Sequence, residues 1–291
     1  MDLTNREAFF EAKNRIEKAK VKISDSELYT ILIKANKFSS YTEIITNFDK
    51  NLAEPQYFFQ KLDEIIAGKP IQYAINLASF LDFDLYVDER VLIPRPETEG
   101  LVLLVKDIIL SNKIKHDTIL DVCTGSGCIA LFMKGIFPDS KVYASDKSKD
   151  ALEVAKINDE TFNGNIIFLR GDKLKPIIKE KVKLDVLISN PPYVENKKDI
   201  ESKVKKYEPM KAIYSRVGEK FYLNYFKNYK KVMKDKFIMA FEINYDQEDV
   251  LTKAIEKYFK DIKDLKFKFY KDIYGLNRYL IILRGYENAN L

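Results

Sequence analysis

The stretch Asn190-Pro191-Pro192-Tyr193 follows directly on the largely apolar run Leu184-Asp185-Val186-Leu187-Ile188-Ser189. Proline has no N–H to donate and fixes its own φ, so two in succession end a strand and stiffen what comes next. A strand stop followed by a turn is the plain reading. The chemical reading is that the Asn190 side chain and the Pro191 backbone carbonyl are two fixed acceptors, with the rings of Pro191 and Pro192 holding the carbonyl still. An amide or exocyclic amino nitrogen is a poor nucleophile, because its lone pair is conjugated away, yet it carries two hydrogens. An acceptor for each hydrogen fixes that nitrogen and aims its lone pair at an electrophilic methyl group. Tyr193 adds a flat face against which a planar amide or base packs.

A second constellation lies upstream, at Asp121-Val122-Cys123-Thr124-Gly125-Ser126-Gly127-Cys128-Ile129-Ala130. Gly125 and Gly127 sit between an apolar strand and a helix, where the chain turns tightly and a ligand can approach the backbone. The N–H groups opening that helix face the ligand with the positive end of its dipole. Asp146 stands about twenty residues on, where an acid takes ribose hydroxyls. This pattern suits a nicotinamide dinucleotide or S-adenosylmethionine equally, and a tight turn without ligand also satisfies it. A hydride-transfer enzyme needs a proton donor or acceptor near its site. The single histidine, His116, precedes the strand and falls at the wrong end of a sheet.

The elements that must position these residues can be read from periodicity. Helices alone fill residues 3–70: Phe9, Phe10, Ile16 and Ala19 recur at helical spacing, and Ser24 or Asp25 caps a helix carrying Leu28, Ile31 and Leu32. A third helix is expected over Tyr41–Phe48, and a fourth from Pro55 to Gly68. Phe80–Val87 alternates apolar and acidic residues like a half-exposed strand, and Val91-Leu92-Ile93, stopped by Pro94, makes its hairpin partner. From residue 97 strands and helices alternate, with strands at Thr118–Cys123, Lys141–Ser145, Ile166–Arg170, Leu184–Ser189, Phe237–Ile243, Leu265–Tyr270 and Arg278–Leu283. The expected fold class is α/β: a doubly wound, mostly parallel, seven-stranded sheet, with an antiparallel hairpin at one edge. The expected divisions are a helical domain over 1–72, a β-hairpin linker over 73–96 and a catalytic domain over 97–291.

Composition narrows the function further. Among 291 residues the formal net charge is +5, with 14 Lys+Arg against 18 Asp+Glu in residues 1–110 and 35 against 26 thereafter. Much of that basic excess reads as solvated lysine on helix faces. Two cysteines, Cys123 and Cys128, with one histidine give no disulfide framework and too few ligands for a zinc site, so no metal is expected. The charged, amphipathic N-terminus has no signal-peptide core, and no apolar run is long enough to span a bilayer. A cytoplasmic protein with reduced thiols is expected.

The order Asp121…Gly125-Ser126-Gly127, Asp146, Gly171-Asp172 and Asn190-Pro191-Pro192-Tyr193 resembles the class I, Rossmann-like S-adenosylmethionine-dependent methyltransferases. Together with Val91-Leu92-Ile93-Pro94-Arg95-Pro96-Glu97-Thr98-Glu99 it is similar, more narrowly, to the HemK-type protein-(glutamine-N5) methyltransferases that modify peptide chain release factors. The resemblance runs from about Gly68 to Leu283. It implies a cofactor site of Asp121, Cys123, Thr124, Gly125, Ser126, Gly127, Asp146, Asp172, Lys173 and Asn190. Within it Thr124 to Gly127 wrap the methionine part of S-adenosylmethionine, Asp146 takes the ribose, and Asp172 with Lys173 border the adenine. It also implies that Asn190, Pro191, Pro192 and Tyr193 hold the glutamine of a Gly-Gly-Gln motif, giving N5-methylglutamine and S-adenosylhomocysteine. Asn190, Pro191 and Tyr193 would carry the catalysis, and a neutral Asn190 avoids repelling the cofactor's carboxylate.

The sequence departs from the family at two places. Residues 212–221 have lost most of the usual glycines, and Glu242-Ile243 is followed by Asn244 instead of glycine. Glu97 and Glu99 either close the site or only begin a helix, where acids suit the dipole. Two other readings compete. An adenine-N6 methyltransferase would show the same two hydrogens to Asn190 and flip its base against Tyr193, although the acidic N-terminal region is a poor clamp for a nucleic-acid backbone. A non-catalytic binding module on the same fold is the third. The release-factor reading carries a monomer, a protein partner, and no direct contact with nucleic acid or membrane.

Overall fold

The computed structural model describes residues 3–216 and 218–291. Met1, Asp2 and, within the glycine-poor stretch 212–221, Val217 lie outside the described residues. The chain forms two compact units, Met1–Leu77 and Ala78–Leu291.

The first unit is helical: α1 (Asn5–Ala19), α2 (Asp25–Asn36), α3 (Tyr41–Thr46), α4 (Pro55–Ile66) and the short α5 (Ile71–Ala74). Thr4 and Ser24 each close a reciprocal capping box, with Glu7 and Glu27 respectively, which satisfies the first free N–H groups of α1 and α2. Ala8, Phe9, Ala12, Leu28, Ile31, Leu32, Phe58 and Leu62 form its core. Phe10, although on the same apolar repeat, points outward and is 54% exposed.

The second unit opens with a hairpin, β1 (Ala78–Phe80) and β2 (Phe83–Leu85), paired Ala78↔Leu85 and Phe80↔Phe83. This corrects the expected single strand Phe80–Val87. The chain reverses at Leu81-Asp82, with Leu81 at φ 49°, and Val91–Ile93 is not a strand. A two-residue reversal ordinarily shows itself through Gly or Asn, and neither stands here.

Then follow α6 (Pro96–Ser111), β3 (Thr118–Val122), α7 (Cys128–Ile136), β4 (Lys141–Asp146), α8 (Lys149–Phe162), β5 (Ile167–Arg170), α9 (Lys175–Lys179) and β6 (Leu184–Ser189). After β6 come α10 (Ser202–Tyr207), α11 (Met210–Ile213), α12 (Lys220–Val232), β7 (Met233–Glu242), α13 (Glu248–Phe259), β8 (Leu265–Lys271) and β9 (Asn277–Arg284).

The sheet has seven strands in the order β5-β4-β3-β6-β7-β9-β8. Those from β5 to β7 are parallel, and β9 is antiparallel to both neighbours. Successive residues of the central strands alternate between two cores, which is why the strands read as continuously apolar. Ile119, Val186, Ile238 and Ile281 pack with α6 and α7 on one face, while Leu120, Leu187, Met239 and Ile282 pack with α12 and α13 on the other. Strand order reverses between β3 and β6, so the loops leaving those two strands flank the crevice where open α/β sheets hold ligands. Val122 and Ser189 are register partners. Cys123 and Asn190, the next residue of each strand's loop, therefore start side by side.

Candidate active site

The glycine loop leaves β3 through Cys123, at φ 65°, and passes Gly125 at φ 54° to Gly127, which caps α7 at φ 86°. A side chain on Gly127 would press on Ala155 Cβ at 3.3 Å, whereas one on Gly125 would meet nothing within 4 Å. At Gly127 the left-handed backbone and the close Ala155 together favour glycine, whereas Gly125 faces open space. The loop is braced by Asn158 of α8, whose amide Nδ2 donates to the Ser126 carbonyl at 2.9 Å and to Tyr86 at 3.0 Å.

Two carboxylates face this loop. Asp146 Oδ2 accepts the Gly125 N–H at 3.1 Å, and its Oδ1 accepts that of Ser148 at 2.8 Å. Burial pushes Asp146 above the ordinary carboxylate range while those N–H donors pull it down. Asp121 Oδ2 accepts the Thr124 hydroxyl at 2.5 Å, its buried Oδ1 has no partner within hydrogen-bond geometry among the described residues, and the Ala130 N–H in the first turn of α7 works with Thr124 against the effect of burial. Burial raises Asp121 to about 7. Gly171 donates its N–H to the Asp146 carbonyl, bringing Asp172 alongside. Lys173 lies near Asp172 at 3.9 Å, with its ammonium over the Phe221 ring.

At the end of β6, Asn190 Nδ2 donates to Thr98 Oγ1 at 2.9 Å. The Thr98 hydroxyl donates to Glu242 Oε2 at 2.7 Å, and the Tyr193 hydroxyl to Glu242 Oε1 at 2.8 Å. Glu242 ends β7 and is 1% exposed. Burial raises its pKa, opposed by the two hydroxyl donors and by Arg278. Among the described residues nothing donates to Asn190 Oδ1 or to the Pro191 carbonyl. Both residues line a cavity of about 110 Å³ with Leu92, Arg95, Tyr193 and Ile213. A larger hollow of about 660 Å³, walled by Lys113, Lys236 and Arg284, lies at the amino ends of the parallel strands, away from Asn190.

Past Tyr193 the chain is tied back. Val194 bridges Tyr214, and the Gly218 N–H donates to Glu195. Arg95 pairs with Glu208 at 2.5 Å, and the other oxygen of Glu208 takes the Ile93 N–H at 3.3 Å. Glu99 accepts the Leu81 N–H at 2.9 Å and so fastens α6 to the hairpin turn. Glu97 shares the first turn of α6. Asn244, after Glu242-Ile243, needs no left-handed backbone: its carbonyl accepts the Gln247 N–H and its own N–H donates to Gln247 Oε1.

The fold thus brings Asp121, the Cys123–Gly127 loop, Asp146 and Asp172 into one group, and Asn190 to Tyr193 into another, on adjoining strand ends. Thr98, Glu242 and Asn158 were not anticipated as site residues. Glu242 had left a signal, an acid closing the otherwise apolar run Phe237–Phe241, which a buried strand tolerates only with partners.

A mostly parallel sheet of this order, with antiparallel β9 inserted between β7 and β8, a glycine loop after β3 and an acid closing β4, is the arrangement of the S-adenosylmethionine-dependent methyltransferases. The family profile described as methyltransferase small domain matches residues 99–248. The crystal structure of a methyltransferase from Pyrococcus furiosus shares the fold, with a TM-score of 0.50 at 20% identity, covering 76% of this chain and 96% of that one. The release factor glutamine methyltransferase of Staphylococcus aureus is 37% identical over 220 residues, 75% of this chain and 77% of that protein. Its counterpart in Streptococcus pneumoniae is 31% identical over 269 residues, 90% and 93% of the two chains. The chain belongs to the release factor glutamine methyltransferase family.

Proposed function

We propose that this enzyme methylates the side-chain amide nitrogen of the glutamine in the Gly-Gly-Gln motif of peptide chain release factors. The observation that carries the chemistry is the pair of undonated acceptors, Asn190 Oδ1 and the Pro191 carbonyl, beside one cavity. The name shared by the relatives supplies the substrate.

The residues present suit S-adenosylmethionine: the carboxyl of Asp121 behind the loop complements an ammonium, and space is open over Gly125. Asp121 and residues 123–127 would hold its methionine part, Asp146 its ribose hydroxyls, and Asp172 with Lys173 its adenine, with Asn190 at the reactive end. When bound, it supplies an electrophilic methyl group.

Asn190 Oδ1 and the Pro191 carbonyl would each accept one hydrogen of the substrate amide, leaving its lone pair directed out of the acceptor plane. Tyr193, tethered through its hydroxyl, and Pro192 would flank the planar group. No side chain need act as base, since an amide nitrogen that has gained a carbon gives up its proton readily.

Among the described residues no helix is long and apolar enough to cross a membrane. A monomer working in the cytoplasm, where release factors act, is the corresponding picture, without direct contact to nucleic acid.

The test incubates the purified protein with methyl-labelled S-adenosylmethionine and offers a release factor or nucleic acid as acceptor. Label in the release factor is expected. Label in nucleic acid alone, or in neither, would refute the proposal.

A further inference from the structure

Asparagine has two unlike ends, and only one of them serves as an acceptor. Something must decide which end faces the cavity. The hydrogen bonds behind Asn190 run one way. An ionised Glu242 can only accept, and it takes the Thr98 hydroxyl at 2.7 Å and the Tyr193 hydroxyl at 2.8 Å. A threonine hydroxyl has one hydrogen, and that of Thr98 is committed to Glu242. Toward Asn190, 2.9 Å away, Thr98 can therefore only accept, so the amide must present Nδ2 to it and Oδ1 to the other side.

We infer that Thr98 and Glu242 are positioning residues that set substrate specificity: by turning Asn190 Oδ1 outward they make the site select a group with N–H to donate. An amide has it; the carboxylate of a glutamate, nearly the same shape, does not. Meeting an oxygen of the site with another oxygen leaves both unpaired, which a buried site rejects strongly. Thr98 is 3% exposed and Glu242 1%, so water does not substitute for either link of the chain.

The inference rests on the proposed role of Asn190, and the two can fail separately. Transfer to a release factor by the unaltered enzyme is measured first; its absence overturns both. The variants are then compared by kcat, by KM for the release factor and by cofactor affinity. Thr98→Val keeps the shape and removes the hydroxyl. It is expected to lower kcat about 10- to 100-fold, with KM and cofactor affinity within about 3-fold. Thr98→Ser restores the hydroxyl and should recover kcat to within about 3-fold. Glu242→Gln offers Thr98 or Tyr193 an N–H in place of an acceptor and should fall as far as Thr98→Val. Because both act through one chain, the double variant should be no worse than about 3-fold beyond the weaker single one. An undiminished Thr98→Val, a Thr98→Ser as poor as Thr98→Val, or losses that multiply in the double variant would each overturn the inference. If Thr98→Val does not fold, the comparison of Thr98→Ser with Glu242→Gln decides on the same criteria.

Discussion

Asn190 contributes an oxygen that is neutral, half-buried and aimed by its neighbours. Asn190→Ala removes that acceptor without touching the glycine loop. Transfer should fall by at least about 100-fold, the scale of losing one aligned polar contact to the reacting group, while cofactor affinity measured by calorimetry stays within about 3-fold. Asp121 makes a different prediction, because its pKa is raised from 3.8 to about 7 by burial. Between those values the folded protein holds a proton that the unfolded chain has released, so this residue's contribution to stability declines as pH rises through the window. A cation held near Asp121 favours the ionised form, so binding S-adenosylmethionine should expel a proton below about pH 7. Its dissociation constant should drop as pH climbs from about 5.5 to 7, and Asp121→Asn should flatten that dependence. A slope unchanged in the variant would place the titrating group elsewhere. Asn190 could be picked out from sequence because it is a polar residue closing an apolar run, and Asp121 because it opens the motif on which the family resemblance rests. Thr98 could not, since a hydroxyl inside a helix start carries no mark of the partner it will meet.

At the level of elements, the strand ends do the positioning, and local signals mostly revealed them. Alternation of apolar runs and helical periods placed the strands from Thr118 onward to within a few residues, except that β7 starts at Met233, well ahead of Phe237. Its charged opening, Lys234-Asp235-Lys236, looks like a loop; in the fold Lys234 is drawn to the buried Asp185 at 2.6 Å. That attraction spans 49 residues and has no local trace. The same holds for Arg95 and Glu208, which join the start of α6 to the segment between α10 and α11. Glu208 is 2% exposed in its side chain and Arg95 34%. Arg95→Ala would strand a buried carboxylate, at a cost of about 2 kcal/mol, less than for a fully buried pair because water reaches the guanidinium. Denaturant unfolding should show that loss, and KM for the release factor should rise as the cavity wall of Leu92 and Ile213 loosens. Parent-like stability in Arg95→Ala would mean that Glu208 is held by Ile93 alone.

On the scale of the whole molecule, the fold is a familiar sheet whose two ligand-facing loops emerge from neighbouring strands at its reversal point. Parallel pairing of β3 with β6 sets Cys123 beside Asn190, and antiparallel β9 buttresses β7 so that Glu242 can stand behind the pair. Strand types were readable from the chain; their order was not, because pairing between β3 and β6 joins segments more than sixty residues apart. The family match supplies what geometry alone leaves open, namely which amide is presented. The chemistry of the site thus comes down to one nitrogen. Tandem mass spectrometry of a release factor, after reaction with this enzyme and S-adenosylmethionine, identifies the atom that receives the methyl group. A single added methyl on the side chain of the Gly-Gly-Gln glutamine is predicted; a methyl on any other residue, or an unmodified glutamine, would contradict it.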